Sequence, residues 1–429
     1  MPLAYKSKLV HAASNANSSS LFSSNPLLSP GNSRPSTKQT RHTMSVQRFD
    51  VAVVGLGALG SSAAYQAAIK GAKVIGFEQY ELGHVRGASH DTSRIVRTSY
   101  GAPEFVALAR SAYKDWAEIE RRSGLKMLTI TGGVVFLPKE GPNGSHTFAN
   151  SLDANGIPYE LVDAAEANRR WPGFNVPDSV DTIYTPDTGI AHAAKSVTTI
   201  QYLARGSGAI LKDNTRVDAV VPQASGGVLV KTSQGDFHAK KVIIAADAWT
   251  NKLLKPLGVE LPITVMQEQV TYYKPKPEHE ARFESDKFPV WIWGGADSSE
   301  KWFYGFPLYG EPTLKAGQDA GRNDITPEER TWVPSERLRK ELTTFVNGLI
   351  PDHGEELRTV TCQYTITPDR QFIISPMEKH KDIIVALGNA HAFKFAPAIG
   401  RVTAELALEG KATDDLSKFG FPQPTTSKL

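Results

Sequence analysis

The stretch from Phe49 to Glu78 most narrows what this chain can fold into. Phe49-Asp50-Val51-Ala52-Val53-Val54 has the apolar, β-branched character of a buried parallel strand. Gly55-Leu56-Gly57-Ala58-Leu59-Gly60 follows at once and opens a helix-like run to Lys70. Gly55 permits the tight turn, Gly57 lets the backbone approach a pyrophosphate, and Gly60 lets helix and strand pack closely, with the phosphates against the helix N-terminus. After the turn at Gly71, Lys73-Val74-Ile75-Gly76-Phe77 reads as a second strand ending at Glu78, 23 positions after Gly55. A carboxylate there accepts hydrogen bonds from an adenosine ribose and favours a free 2′-hydroxyl, but it does not separate NAD from FAD. Position helps: the fingerprint heads the ordered sequence, and another β-run, Lys241 to Trp249, stands far downstream. That spacing suits FAD enzymes that thread the nucleotide domain through distant segments.

Composition sets the outer bounds. A hydrophobic share of 40% over 429 residues is ordinary for a globular chain of two to three domains. The formal charge of +3 comes from nearly balanced acids and bases, and no Asp or Glu precedes Asp50, so nucleic-acid binding is not expected. No apolar run approaches the roughly 20 residues of a bilayer span. Cys362 is the only cysteine, which excludes an intramolecular disulfide and a thiolate metal cluster. By composition alone it is a small buried hydrophobe.

The ends carry addresses rather than fold. Residues 1–44 are Ser- and Asn-rich with scattered basics and read as a disordered tail; they also resemble a mitochondrial presequence, although Pro26, Pro30 and Pro35 break any long amphipathic helix. Ser427-Lys428-Leu429 matches the tripeptide read by the peroxisomal import receptor. Peroxisome is the expected compartment, with mitochondrion as the alternative.

Six separated blocks then identify a family. They are Gly55 to Glu78; Gly87-Ala88-Ser89-His90-Asp91-Thr92-Ser93-Arg94-Ile95-Val96-Arg97 with Tyr100; Ala245-Ala246-Asp247-Ala248-Trp249; Tyr304-Gly305-Phe306-Pro307 with Leu314-Lys315; Cys362-Gln363-Tyr364; and His391-Ala392-Phe393-Lys394-Phe395. In order and spacing they resemble the monomeric sarcosine oxidase and N-methyltryptophan oxidase family of flavoproteins, from about residue 46 to about residue 415. The resemblance implies an α/β fold: an FAD-binding Rossmann-type domain from 46–130, 190–260 and 355–415, a sheet-rich substrate domain from 131–189 and 261–354, and a C-terminal tail over 416–429. It implies a monomer with FAD bonded through Cys362, whose partners are a small amino-acid substrate and oxygen.

It also assigns residues. Gly55, Gly57, Gly60, Glu78 and Ser93 contact the cofactor; Arg94 and His90 lie close to the flavin ring, where positive charge stabilises its reduced anion. Arg97 and Lys394 match the pair that holds the substrate carboxylate, and Lys394 also borders the cofactor. A guanidinium fork and an ammonium are suited to that task. Lys315 matches the lysine that promotes reaction with oxygen by stabilising developing superoxide. Tyr304 and Tyr364 line the substrate cavity in the family; from the residues alone each reads equally as a core aromatic. Two departures stand out. Asp319 replaces a histidine over the substrate, and Ala390 and Ala392 replace the glycines flanking His391. The expected reaction is oxidation of a secondary amino acid, N-methyl or cyclic, to an imine or to aldehyde plus amine, with hydrogen peroxide. A pipecolate-type or fructosyl-amino-acid oxidase is the nearest alternative, and a non-catalytic nucleotide-binding protein is the alternative of another class.

Overall fold

The computed structural model describes residues 46–141, 143–295 and 301–422. The expected tail over 1–44 and the tripeptide 427–429 lie outside the described residues. Strand β1 (Gln47–Val54) enters helix α1 (Ala58–Ile69) through the glycine turn, and β2 (Val74–Phe77) returns parallel to β1. The parallel strand Gly235–Ile244 pairs on the other side of β1, and Ile383–Leu387 pairs beyond it. Together with Ile210–Lys212, Val217–Pro222, Val228–Thr232 and Ile373–Pro376 they make an eight-stranded mixed sheet. Its central strands are apolar and buried over Val51–Val54, Val74–Phe77, Val242–Ile244 and Ile383–Leu387, as suits parallel strands covered on both faces. Ten of the twelve residues of α1 are buried, so this helix is covered nearly all round rather than along one face.

A second, nine-stranded sheet is built mainly of antiparallel neighbours, including Thr264–Lys274, Val290–Gly294, Trp302–Phe306 and Leu314–Asp319. Glu355–Ile366 pairs with Thr264–Lys274 in this sheet, while Ile373–Pro376 and Ile383–Leu387 lie in the first. The segment 355–415, expected entirely on the flavin side, is therefore shared between the two sheets. Cys362 sits on the strand that belongs to the second. A small three-stranded sheet joins β3 (Arg94–Val96) to Gly189–Ala191 and Leu128–Ile130.

The helix α2 (Pro103–Ser123) starts with Pro at its first turn and ends at Gly124 in the left-handed region. It buries Phe105, Leu108, Trp116 and Ile119, and the Trp116 indole donates to the Lys394 carbonyl at 2.8 Å. That bond ties the short turn Ala392–Phe395 to the core. Among the described residues no helix is long and apolar enough to cross a membrane.

Candidate active site

One cavity of ≈ 430 Å³ runs from Glu78, His84 and Trp249, past Gly55, Gly57 and Ala58, to Cys362, Lys315, Arg97 and Lys394. At its first end the backbone leaves no room for side chains. Gly55 has φ 89, and a Cβ there would lie 2.5 Å from the Ala245 carbonyl oxygen; one on Gly60 would lie 1.8 Å from the Gly55 oxygen. The Leu56 carbonyl accepts from Ser61 Oγ at 2.7 Å and Gln201 Nε2 at 2.9 Å. Glu78 fixes the turn from the other side. It accepts from the Leu56 amide at 3.0 Å and the Tyr80 amide at 3.2 Å, and pairs with His84 Nε2 at 3.2 Å. Burial works to raise its pKa, but the His84 contact and the two amides hold it below the usual carboxylate range.

Ser89 belongs to this end although no local signal announces it. Its hydroxyl accepts from the Ala58 amide at 3.0 Å, at the start of α1, and a Cβ on Gly57 would lie 2.9 Å from it. The glycine cradle, the acid at the strand end and the length of the cavity together fit an FAD. The helix N-terminus beside the cradle suits its pyrophosphate.

At the far end the strands present their side chains in alternation. Lys315, Gly317 and Asp319 share one face of Leu314–Asp319, and Cys362 and Tyr364 share one face of Glu355–Ile366. Tyr304 lies opposite Gly317, where any Cβ would come 2.7 Å from its ring. Lys315 is 3% exposed. Its ammonium donates to Asp91 Oδ2 at 2.5 Å, Ser93 Oγ at 3.0 Å and the Ser93 carbonyl at 3.1 Å. Burial pulls its pKa down, with Arg94 adding and Asp91 opposing, to about 8, so it remains a cation at neutral pH. Asp91, at φ 84, also accepts from the Tyr272 hydroxyl at 2.8 Å. Burial works to raise Asp91, but Lys315, Arg94 and Tyr272 together keep it well below the usual carboxylate range.

Arg94 donates to the carbonyls of Ser93 and Ala88 at 2.9 and 3.1 Å. His90 is buried, its Nε2 has no partner, and burial followed by the nearby cations Arg94, Arg330 and Lys315 pulls it to about 3. These surroundings favour the neutral imidazole and oppose the positive charge expected at His90.

Arg97 and Lys394, nearly 300 residues apart in the sequence, meet across Tyr100. The guanidinium lies 3.9 Å and the ammonium 5.6 Å from the Tyr100 ring centre. Arg97 donates to the Ser99 carbonyl, and Lys394 to the His391 carbonyl at 2.9 Å. Burial first and Arg97 second push Lys394 well below the ordinary lysine value, with Asp319 opposing. Asp319 is engaged by Arg370 Nη2 at 3.0 Å. Tyr304 and Tyr364 are both raised by burial and touch through their hydroxyls. Ala390 lines the cavity at φ 67, and the Ala392 methyl lies 2.3 Å from the position a Cβ on Gly388 would take.

Cys362 is buried, and burial pushes its thiol up to about 11, with Arg94, Arg330 and Lys315 opposing and Glu268 adding. Glu268, directly across the strand pair from Cys362, accepts from the Gly321 amide at 2.7 Å and is itself pushed by burial up to about 8. Asp91, Ser89, Glu268, Arg330 and Arg370 are the residues that sequence reasoning passed over. Among the described residues no group of His, Cys, Asp and Glu is arranged to hold a metal.

Residues 50–406 match the FAD dependent oxidoreductase family, DAO. The chain is 31% identical over 388 residues to the monomeric sarcosine oxidase of Bacillus sp. (strain B-0618), covering 88% of this chain and 96% of that relative. It is 30% identical over 377 residues to the peroxisomal sarcosine oxidase of Homo sapiens, covering 86% and 95%. Among solved structures, the open form of NikD, an unusual amino acid oxidase essential for nikkomycin biosynthesis, aligns with a TM-score of 0.76 at 26% identity, over 87% of this chain and 98% of that one. With the cradle, the acid at the end of β2 and the long cavity in place, the chain belongs to the FAD dependent oxidoreductase family and is an FAD-dependent enzyme.

Proposed function

We propose that this protein oxidises the C–N bond of secondary amino acids, N-methylated ones such as sarcosine foremost, with oxygen as acceptor and hydrogen peroxide as product. The observation that carries the reading is the meeting of Arg97 and Lys394 over Tyr100 at one end of the flavin-sized cavity. Two buried basic groups, Arg97 on the Ser99 carbonyl and Lys394 on the His391 carbonyl, suit an anion, and a substrate carboxylate supplies it. Its arrival would also favour the charged form of Lys394, so binding and proton uptake at Nζ go together. FAD, when bound, takes the two electrons removed from the amine and passes them to oxygen.

The chain's part is placement. Arg97 and Lys394 hold the carboxylate end, Tyr304, Tyr364 and the neutral His90 line the space and keep it dry, and Asp319, held by Arg370, borders the same space. Gly55, Gly57, Gly60, Glu78, Ser89 and Ser93 would hold the cofactor, and Cys362 would bond to its ring. Lys315, fixed by Asp91 and Ser93, would stabilise charge developing on oxygen. The names of the sarcosine oxidase relatives support the substrate class, and the peroxisomal human relative supports a peroxisomal address read from Ser427-Lys428-Leu429. Deleting those three residues should move a tagged protein to the cytosol.

The test is an amine screen by anaerobic flavin bleaching, followed by peroxide release in air. Sarcosine and other N-methyl amino acids should bleach the flavin, and Arg97→Met should weaken them by on the order of 2–5 kcal/mol, as when one partner of a buried charge pair is stranded. Bleaching by cyclic amino acids alone, or equal losses for a decarboxylated analogue, would overturn the substrate reading.

A further inference from the structure

Arg330 follows the short turn Pro327–Glu329 and runs inward beside the strand that carries Cys362. It is 6% exposed. Nη1 donates to the carbonyls of Val85 and Arg86, both at 3.1 Å, and Nη2 donates to the Thr361 carbonyl at 2.6 Å and hydroxyl at 3.3 Å. Thr361 is the residue before Cys362. Among the described residues the buried Nε has no partner. Trp332 covers the guanidinium, which lies 3.7 Å from its ring centre, and it does so from φ 64, a conformation that a bulky side chain adopts only where its surroundings impose it.

Every acceptor of this buried cation is neutral. Among the described residues no carboxylate pairs with Arg330, whereas Lys315 has Asp91 and Arg370 has Asp319. A desolvated guanidinium without a counter-ion is costly, and such groups normally sit where an anion is present for at least part of the cycle. The bond to the Thr361 carbonyl holds the guanidinium beside the Cys362 backbone, and of the ionisable groups whose charge it feels, His90 and Cys362, only Cys362 can become an anion. We propose that Arg330 is a positioning residue for flavin attachment, a fixed cation whose counter-ion is the Cys362 thiolate. This rests on the reading that Cys362 carries the flavin.

The attachment balances as follows. The Cys362 proton leaves, the thiolate sulfur bonds to the 8α carbon of FAD, one 8α C–H bond breaks and its proton departs, and two electrons stay on the flavin. Dioxygen, the enzyme's own acceptor, then takes those electrons to give hydrogen peroxide. The slow requirement is the thiolate. The groups facing it are Arg94 on β3, Lys315 on Leu314–Asp319, Arg330, Glu268 on Thr264–Lys274, and the Tyr304 and Tyr364 hydroxyls. Arg94 acts on the sulfur too, but it lies 3.8 Å from Asp91 and Lys315 is paired with the same carboxylate, which leaves Arg330 as the cation of the three with no carboxylate partner among the described residues.

The experiment uses full-length protein produced under riboflavin limitation, mixed with FAD at pH 7 and pH 9 and followed by in-gel flavin fluorescence after acid denaturation. Arg330→Gln should bind FAD, as its visible spectrum shows, yet incorporate it covalently more slowly at pH 7, on the order of 10–100-fold for a thiol pKa raised by one to two units. Both rates should rise at pH 9 and the deficit should persist, because a thiol at about 11 is still mostly protonated there. Arg330→Lys keeps the charge and should stay within about tenfold of wild type. Glu268→Gln, which retains an acceptor for the Gly321 amide, should match wild type at pH 7 and exceed it at pH 9, where the wild-type carboxyl, pushed to about 8, has ionised against the sulfur. Wild-type rates in FAD-bound Arg330→Gln at both pH values would overturn the proposal. Should that variant not fold, wild-type rates of covalent incorporation in FAD-bound Arg330→Met at both pH values would do so. Wild-type protein that releases all its flavin into the acid supernatant would instead overturn the covalent reading itself, a result visible without any variant.

Discussion

Lys315 shows how much a single side chain can be asked to do when it is buried with its counter-ion. Asp91 and Ser93 take all three of its protons as hydrogen bonds, so the ammonium cannot swing away from the flavin end of the cavity. Its charge is nevertheless only moderately secure, because burial pulls the pKa to about 8. The sign is plain: below that value the cation is present, and as pH rises through it the cation is lost. The oxygen half-reaction, measured by stopped flow after anaerobic reduction, should therefore slow as pH rises through about 8. Lys315→Met should slow it by on the order of two to three decades at neutral pH and flatten the profile, while bleaching by substrate changes modestly. Ala390 makes a different claim at the same scale. At φ 67 its methyl group works against the left-handed backbone that the cavity wall requires. Ala390→Gly should raise stability by about 1 kcal/mol, seen as a higher urea midpoint at unchanged slope.

At the scale of elements, the site is a product of strand register. The alternation of Leu314–Asp319 sends Lys315 and Asp319 to the cavity, and pairing with Thr264–Lys274 sets Glu268 opposite Cys362. The glycine turn and Glu78 were legible in the sequence because their constraints are local: a backbone that must turn tightly and a strand that must end on an acid. Arg97 and Lys394 were legible only through resemblance, since nothing between them in the chain says that they meet. Arg330, Arg370, Asp91 and Glu268 were not legible at all; each acquires its role from a partner strands away. Glu268 also carries a stability consequence. Its carboxyl is raised to about 8 in the fold, so the folded state holds a proton that the unfolded chain releases near pH 4. Its contribution is full below the unfolded pKa and is lost as pH rises toward and through 8. Glu268→Gln should thus match wild type in melting temperature near pH 4 and exceed it by a margin that widens up to pH 9, equivalent to a few kcal/mol at most. Parallel melting curves across that range would show that the carboxyl is not held neutral.

For the molecule as a whole, the cavity is the organising feature. Its walls come from Val54 through Lys394 and draw on both large sheets, so filling it bonds together segments that are distant in the chain. Arg94, Arg97, Arg216, Lys252, Lys315 and Lys394 line it against Glu78, Asp91, Asp247 and Asp319, more basic groups than acidic ones, which suits an anionic cofactor and an anionic substrate. A ligand of this kind stabilises the fold by mass action as long as it can leave, and the gain at a hundredfold excess over its dissociation constant is about 2.7 kcal/mol. A covalent bond changes that relation, because the ligand then stays with the chain when it unfolds. If Cys362 carries the flavin, the melting temperature of the wild-type holoenzyme should be indifferent to added FAD. In Cys362→Ser the cofactor becomes an ordinary ligand, and the midpoint should climb with free FAD by roughly 3–5 °C at that excess for a chain of this size. Differential scanning fluorimetry over an FAD series separates the two behaviours. A wild-type midpoint that climbs with FAD as steeply as that of Cys362→Ser would mean that the flavin is held by the cradle, Glu78 and the buried cations alone.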